Sequence, residues 1–270
     1  MRLRNCPVCG GALRTLDNMK FLQCRSCGTV FNSAHTIIEY SDTYFTSDYK
    51  TQYGKTYEED YPAIRKFCDK RIERIKKIAI HVRINSVLDV ASALGFFLKA
   101  ASDNGAGHCT GIEISKYACD YMKNNYPFSV KNESFEDFHS DEKYDLVTAW
   151  YFIEHSSDLV ETVTKLSSLV KDGGVLAFSV PSAFSPLFRF NRKKFFETHP
   201  VDHSADLTPK GVKILLKKSG FRKIRVYPAA YHPERIMSKD RFFFPIFSYF
   251  FRKYADFAAF SDTIEVYAVK

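Results

Sequence analysis

The chain predicts an α/β fold, a mostly parallel sheet with helices on both faces and a small cysteine-clamped module at the N-terminus. Three observations carry this expectation. From residue 63 onward, short apolar runs alternate with amphipathic segments of helix length, the pattern of a sheet built by helical crossovers. Between Ser86 and Ser115 one such unit is complete: the strand SVLDV, a small-residue turn, a helix, and a second strand that ends on an acid. The N-terminal segment holds two C-x2-C pairs.

The totals bound the rest. With 270 residues, 45% hydrophobic and 26% charged, the chain is globular in composition and long enough to bury roughly 70–75% of its unfolded surface. No apolar run reaches the ~18 residues of a membrane-spanning helix. The N-terminus lacks an apolar signal-peptide core, and Cys68, Cys109 and Cys119 stand singly among the seven cysteines. The expected setting is therefore a reducing, cytoplasmic one. A net charge of +8 is compatible with nucleic acid, anionic lipid or phosphorylated substrates and selects none of them.

In chain order, residues 1–31 read as a zinc ribbon. Cys6, Cys9, Cys24 and Cys27 form two knuckles, each followed by a glycine, Gly10 or Gly28. Two such pairs ligate one tetrahedral Zn²⁺, and the segment Ala12–Leu22 between them suits a β-hairpin. A ribbon of this kind serves as a staple, a docking platform or a nucleic-acid reader. Arg2, Arg4, Arg14, Lys20 and Arg25 are a modest basic set, which favours a structural Zn²⁺ in a staple or substrate-gating module.

Residues 32–80 are a tyrosine-rich lid and a lead-in helix. Tyr40, Tyr44, Tyr49, Tyr53, Tyr57 and Tyr61 recur at intervals of four or five, so many share one side of a helix or irregular lid. They are either an aromatic linker packed over the main domain or the source of one or two phenols at an active site. Pro62 opens a helix expected over Ala63–Ile80, with apolar residues at helical period and a basic outer face.

In Ser86–Ser115, Asp89 lies within the first strand, and Ala91-Ser92-Ala93-Leu94-Gly95 makes the turn. A helix is expected over Phe96–Asn104, and the strand His108–Ile112 ends on Glu113. Small residues let the backbone approach a ligand closely, and the terminal acid can take both ribose hydroxyls. Further elements follow: a helix Lys116–Asn124, a short strand near Phe128–Val130, and a strand Tyr144–Tyr151 leading into Ile153-Glu154-His155. A helix Asp158–Val170 is expected to end at Asp172-Gly173-Gly174. After it come a strand Val175–Val180, a helix from the N-cap Thr208 to Ser219, a strand Ile224–Tyr227 and a final strand Asp262–Val269.

The spacing from Asp89 through Gly95 to Glu113 resembles the class I S-adenosylmethionine-dependent methyltransferases, whose first motif reads roughly hhD-h-G-x-G-x-G. The segments FEDF, YDLVTAWYFIEHSSD and LVKDGGVLAFSVP are similar, in order and spacing, to that family's adenine-loop, fourth-strand and fifth-strand motifs. The resemblance covers residues 63–220 and the last strand. It departs from the family in one respect, since Ala91 and Ala93 stand where the first two glycines usually stand. It implies a Rossmann-like, mostly parallel seven-stranded sheet and S-adenosylmethionine as cofactor. The implied cofactor residues are Asp89, Ala91, Ser92, Gly95, Glu113 and Ile114, with Ser134, Phe135 and Glu136 at the adenine and Trp150 at the methionine side. It also implies a domain over 81–270 with an aromatic and basic insertion at about 229–260. The ribbon followed by a YxxxYF-type segment looks like a narrower group with an N-terminal zinc-binding domain, several of whose members act on nucleotide-linked sugars or other small biosynthetic substrates.

Methyl transfer from an activated sulfonium needs alignment, water exclusion and, for a hydroxyl or acidic C–H, a base. The candidate bases are His155 and His203, with Tyr49 and Tyr53 as hydrogen-bonding or base alternatives. The expected acceptor is a small molecule, possibly phosphorylated, such as a sugar or nucleotide-linked sugar. RNA methylation and a non-catalytic scaffold with a lost donor site are the competing readings. The run FFFPIFSYFF is too short to span a bilayer; it can lie in a membrane interface, cap the substrate pocket or bury a homodimer contact.

Overall fold

The computed structural model describes residues 5–16, 20–36, 42–80 and 82–270; Arg2, Arg4 and Tyr40 lie outside them. The ribbon strands are β1 (Leu13–Leu16), β2 (Phe21–Cys24) and β3 (Val30–Asn32). A π-helical turn, Tyr44–Asp48, leads into α1 (Tyr49–Tyr53) and α2 (Tyr61–Ile78). The alternating core comprises β4 (Ser86–Val90), α3 (Phe96–Asp103), β5 (His108–Ile112), α4 (Lys116–Asn125), β6 (Ser129–Lys131), β7 (Tyr144–Trp150), α5 (Leu159–Ser168) and β8 (Val170–Pro181). After it come α6 (Pro186–Phe190), α7 (Arg192–Thr198), β9 (Ala205–Asp206), α8 (Pro209–Lys218), β10 (Lys223–Pro228), α9 (Phe244–Ala258) and β11 (Thr263–Val269).

Among the described residues there are two sheets, a four-stranded one in the order β1-β2-β3-β9 and a seven-stranded one in the order β10-β11-β8-β7-β4-β5-β6. Strand β4 pairs in parallel with β5 on one side, Val90 opposite Ile112, and with β7 on the other, Val90 opposite Ala149. The chain runs outward from β4 through β5 to β6, then returns to β7 on β4's other edge. The reversal makes a topological switch point at the carboxyl end of β4, where open α/β sheets place ligands. Strands β4 and β7 are almost wholly buried, as expected when helices cover both faces. This is the Rossmann-like arrangement the sequence implied.

One expectation is corrected. Helix α5 stops at Ser168, and Asp172-Gly173-Gly174 lies inside β8 rather than at the helix end. Asp172 and Gly173 are exposed and Gly174 is buried, and Gly173 takes φ +79°, a backbone conformation an L side chain resists. The ribbon is also larger than a hairpin, since β3 adds to β2 and β9 adds to β3.

By compactness the chain divides into two units. One contains Ile38–Trp150, Lys165–Ala177 and Tyr267–Lys270. In it Phe45, Leu94, Phe96 and Ala118 form an apolar cluster against which Tyr44, Tyr57, Tyr61 and Ala93 pack, so the tyrosine-rich lead-in lies on the Ala93–Leu94 turn. The other contains Met1–Ile37, Tyr151–Thr164 and Phe178–Val266. In it α9 carries two apolar stripes. Phe247, Phe251, Ala255 and Ala258 pack with Phe260, Phe184 and Tyr231. The adjacent stripe of Phe243, Ile246, Phe250, Tyr254 and Phe257 is exposed, Phe257 to 92%.

Candidate active site

At the carboxyl end of β4 the backbone turns sharply. Ala91, Ala93 and Gly95 take φ of 53°, 48° and 76°, the left-handed region that costs an alanine about 1 kcal/mol. The two alanines thus keep the backbone path that glycines would take. Ser92 N donates to the Ile112 carbonyl (3.1 Å) and Gly95 N to the Ser92 carbonyl (2.9 Å). Gly111 of β5 permits this close approach, because a Cβ there would lie 2.6 Å from Ser92 Oγ.

Two acids flank the turn. Glu113 is buried; its Oε2 accepts from Ala93 N (2.9 Å) and its Oε1 from Ser115 N (3.0 Å). Burial raises its pKa against those two N–H donors, and a carboxylate bonded this way keeps acceptor capacity for a ligand. Asp89 accepts from Thr148 Oγ1 at 2.6 Å. Burial pushes it up to about 7, with Thr148 and Arg71 opposing and Glu113 reinforcing.

Beyond β5, Ile114 is exposed, and Asn132 Nδ2 donates to the carbonyls of Glu113 and Ile114. Asp42 accepts from Ser115 Oγ (2.6 Å) and Tyr117 N (3.1 Å) at the start of α4. In the adenine-loop segment, Ser134 Oγ donates to Asp137 Oδ2. Lys165 Nζ donates to the carbonyls of Phe135 (2.7 Å) and Glu136 (2.9 Å). At the end of β7, Trp150 stacks under Arg71, whose guanidinium carbon is 4.0 Å from the ring centroid. The Trp150 indole Nε1 is buried with no hydrogen-bond partner among the described residues, an orphaned donor of the kind a bound ligand satisfies. Strained turn, end-of-strand acid and orphaned donor together fit a nucleoside-bearing ligand at the switch point.

Tyr49 and Tyr53 belong to the same unit. The Tyr49 hydroxyl donates to Asp60 Oδ2 at 2.7 Å, and burial together with that bond raises its pKa. Tyr53 is exposed and tilts against Tyr49, centroids 4.4 Å apart.

In the other unit, a 3-10 turn (Ile153–His155) brings His155 beside His203, ring centroids 4.8 Å apart. His155 Nδ1 meets Asp202 Oδ2 at 2.9 Å. Burial lowers the His155 pKa in spite of Asp202, and burial with the neighbouring His155 pushes His203 down to about 4. Both shifts favour the neutral imidazole. His199 is different: Nε2 meets Asp206 at 2.7 Å and Nδ1 the Pro200 carbonyl at 2.9 Å. Burial opposes its charged form, and Asp206 outweighs burial to raise its pKa. Glu154 is only 2% exposed and pushed up to about 8 by burial; its Oε2 has no hydrogen-bond partner among the described residues.

The ribbon holds the His203 loop. Asn32 N donates to the Ser204 carbonyl (2.9 Å), Asn32 Nδ2 to that of His203 (3.2 Å) and Thr36 N to that of Val201 (2.9 Å). Thr208 donates to the Cys27 carbonyl while capping α8, and Lys218 at that helix's end donates to the Val8 carbonyl (2.9 Å). Cys6 Sγ lies 3.7 Å from Cys27 Sγ, and Cys9 Sγ lies 3.4 Å from Cys24 Sγ. Backbone N–H groups of Gly11, Ser26 and Cys27 point at Cys9 or Cys24 sulfur. Four sulfurs at such separations are too far apart for disulfides and fit the corners of a tetrahedron with ~2.3 Å metal bonds.

The candidate donor residues thus lie in one unit and the candidate histidine pair in the other. Sequence reasoning missed Gly111, Thr148, Lys165, Asp42 and Asp202. Gly111 carried a signal, as a glycine inside a strand pattern marks a close backbone approach. The others act through contacts distant in the chain.

A sequence-family model described as a methyltransferase domain matches residues 57–226. Among solved structures the fold is similar to a SAM-dependent methyltransferase from Archaeoglobus fulgidus, at 17% identity and TM-score 0.54, covering 85% of this chain and 100% of that one. It is also similar to magnesium protoporphyrin IX methyltransferase from Synechocystis PCC 6803 with bound SAH, at 13% identity and TM-score 0.55, covering 85% and 96%. A third is a possible histamine N-methyltransferase from Thermotoga maritima, at 14% identity and TM-score 0.53, covering 82% and 97%. No curated protein matches the sequence. The chain belongs to the methyltransferase domain family and is an enzyme, a class I S-adenosylmethionine-dependent methyltransferase.

Proposed function

We propose that the enzyme methylates a small hydroxylated biosynthetic acceptor of the sugar or nucleotide-linked sugar class. Bound S-adenosylmethionine supplies a methyl group already activated by the sulfonium. The turn Ala91–Gly95, with Ser92, is suited to lie against the donor, and Glu113 to take its ribose hydroxyls. Asp89, just before the turn, is tied to β7 through Thr148. Ile114, Ser134, Phe135 and Glu136 line the adenine end, with Trp150 toward the methionine.

The observation that carries the acceptor reading is the His155–His203 pair, with Asp202 orienting His155. Transfer to a hydroxyl requires its proton to be taken as the O–C bond forms, and neutral imidazoles are suited to meet that hydroxyl. Tyr49 and Tyr53 are secondary: the Tyr49 hydroxyl is engaged by Asp60. The ribbon, residues 1–31, together with Asn32 and Thr36 just beyond it, acts as a zinc staple for the loop that carries His203. Residues 32–80 form the lid, and residues 81–270 the transferase domain with its insertion at about 229–260.

The test is SAH release with a panel of free sugars, nucleoside-diphosphate sugars and structured RNA. Turnover confined to the sugar class, with a steep loss in H155A and H203A, is expected. Turnover on RNA alone, weakening with salt as phosphate contacts do, overturns the reading.

A further inference from the structure

We infer that Glu154, His155 and His203 form a binding site for a divalent transition-metal cation, separate from the cysteine cluster, whose open positions take acceptor oxygens. One ligand atom from each residue lies within 4.8 Å of the other two. Metal bonds of ~2.1 Å hold such atoms ~3–3.5 Å apart, so loading draws the three inward by about an ångström, within the reach of side-chain rotation.

Three features favour a cation over mutual packing. Glu154 is buried with Oε2 lacking a hydrogen-bond partner among the described residues, and a buried carboxyl oxygen is normally satisfied or bound to metal. Asp202 contacts His155 at 2.9 Å, the carboxylate–imidazole pairing that fixes ring orientation at metal centres. The third feature is anchoring. Ser204 donates to the Glu154 carbonyl through its N–H (2.7 Å) and its hydroxyl (3.0 Å), which joins the two loops that carry the ligands.

Two imidazoles and one carboxylate suit Zn²⁺, Mn²⁺, Fe²⁺ or Co²⁺, whereas Mg²⁺ and Ca²⁺ prefer oxygen ligands. Three protein ligands leave positions open, as catalytic rather than structural sites do. The inference rests on the acceptor reading and deepens it, because vicinal hydroxyls of a sugar are ligands for such positions. In the loaded site the imidazoles act on the acceptor hydroxyl through the cation, which lowers the hydroxyl's pKa so that its proton leaves to solvent as the O–C bond forms and the sulfonium S–C bond breaks.

Mn²⁺ separates this site from the ribbon, because it competes poorly for thiolates already holding zinc. Protein holding one Zn²⁺ per chain, the ribbon's own, is titrated with Mn²⁺ and the free-ion electron paramagnetic resonance signal recorded. One Mn²⁺ should bind per chain. E154Q and H203A should weaken it about tenfold or more and D202N by a similar factor, with zinc content and donor affinity unchanged. No Mn²⁺ bound by the wild type at millimolar concentration overturns the inference, as does binding that E154Q and H203A leave intact. Failure of the acceptor reading is distinguishable. An enzyme that methylates sugars yet binds no Mn²⁺ loses only the cation, and one that binds Mn²⁺ but turns over RNA alone loses the acceptor class.

Discussion

Replacing Gly95 by alanine tests whether the donor turn depends on its backbone path. Gly95 sits at φ +76°, where an alanine is strained by about 1 kcal/mol. A Cβ there would lie 2.8 Å from Met122 Cγ and 2.9 Å from Met122 Sδ. Met122 is fully buried, so it yields only by repacking, at about 1–3 kcal/mol. The alanine restricts the unfolded chain and returns ~0.4–1 kcal/mol. The net expectation is a loss of about 2 kcal/mol, a fall of roughly 4–8 °C in melting temperature. Donor affinity should fall with it, because the displaced helix start carries the turn. Ala93→Gly is the control: relief of the strain at φ 48° and the greater freedom of the unfolded chain nearly cancel, leaving a change within ~0.5 kcal/mol. Differential scanning fluorimetry and calorimetric donor titration measure both. Gly95→Ala with wild-type melting and donor affinity would falsify the backbone argument.

Three further outcomes follow from particular contacts. Asp145 accepts from the backbone N–H groups of Asn85 and Ser86 and pairs with Lys171 at 2.8 Å. Burial opposes its charge, but these partners prevail and bring its pKa down to about 2. A depressed carboxyl stabilises the fold above its unfolded pKa and stops doing so as pH falls through the folded one. Asp145→Asn should therefore cost about 2 kcal/mol at pH 7, a gap that closes between about pH 4 and 2; a pH-independent gap contradicts the assignment. Chelating the ribbon metal should raise amide hydrogen exchange in residues 201–208, through loss of the Asn32, Thr36 and Cys27 contacts, while donor affinity holds. Unchanged exchange there would argue against the staple. The exposed stripe of α9, flanked by Lys239, Arg241, Arg252 and Lys253, has the chemistry of a helix lying on an anionic lipid surface. Co-sedimentation with anionic but not zwitterionic vesicles, lost in Phe250→Ser, is expected; a dimer in solution that ignores vesicles contradicts it.

What could be read in the sequence is what local chemistry encodes. Strand β5 was legible to the residue, and β4 through its apolar run, because an apolar strand bounded by a turn and an acid has few other solutions. The cysteine knuckles were legible because four thiols at that spacing have one common use. The end of α5 was misplaced because Asp-Gly-Gly is a strong stop signal, yet here pairing with the sheet captures it as a kink in β8. The candidate site is half legible: His155 and His203 stand out as residue types in polar loops, but Asp202 and the carbonyl of Glu154 matter only because the fold brings Asp202 to His155 and Ser204 to Glu154. The alanines show the converse. Their identity speaks against a left-handed turn, and the fold imposes one regardless. It can do so because each neighbour of the turn is fixed by something else: Ser92 by the Ile112 carbonyl, Ala93 by Glu113, and Leu94 by the aromatic cluster. A glycine motif is thus a statement about backbone path, and the surrounding contacts can hold that path when the glycines are gone.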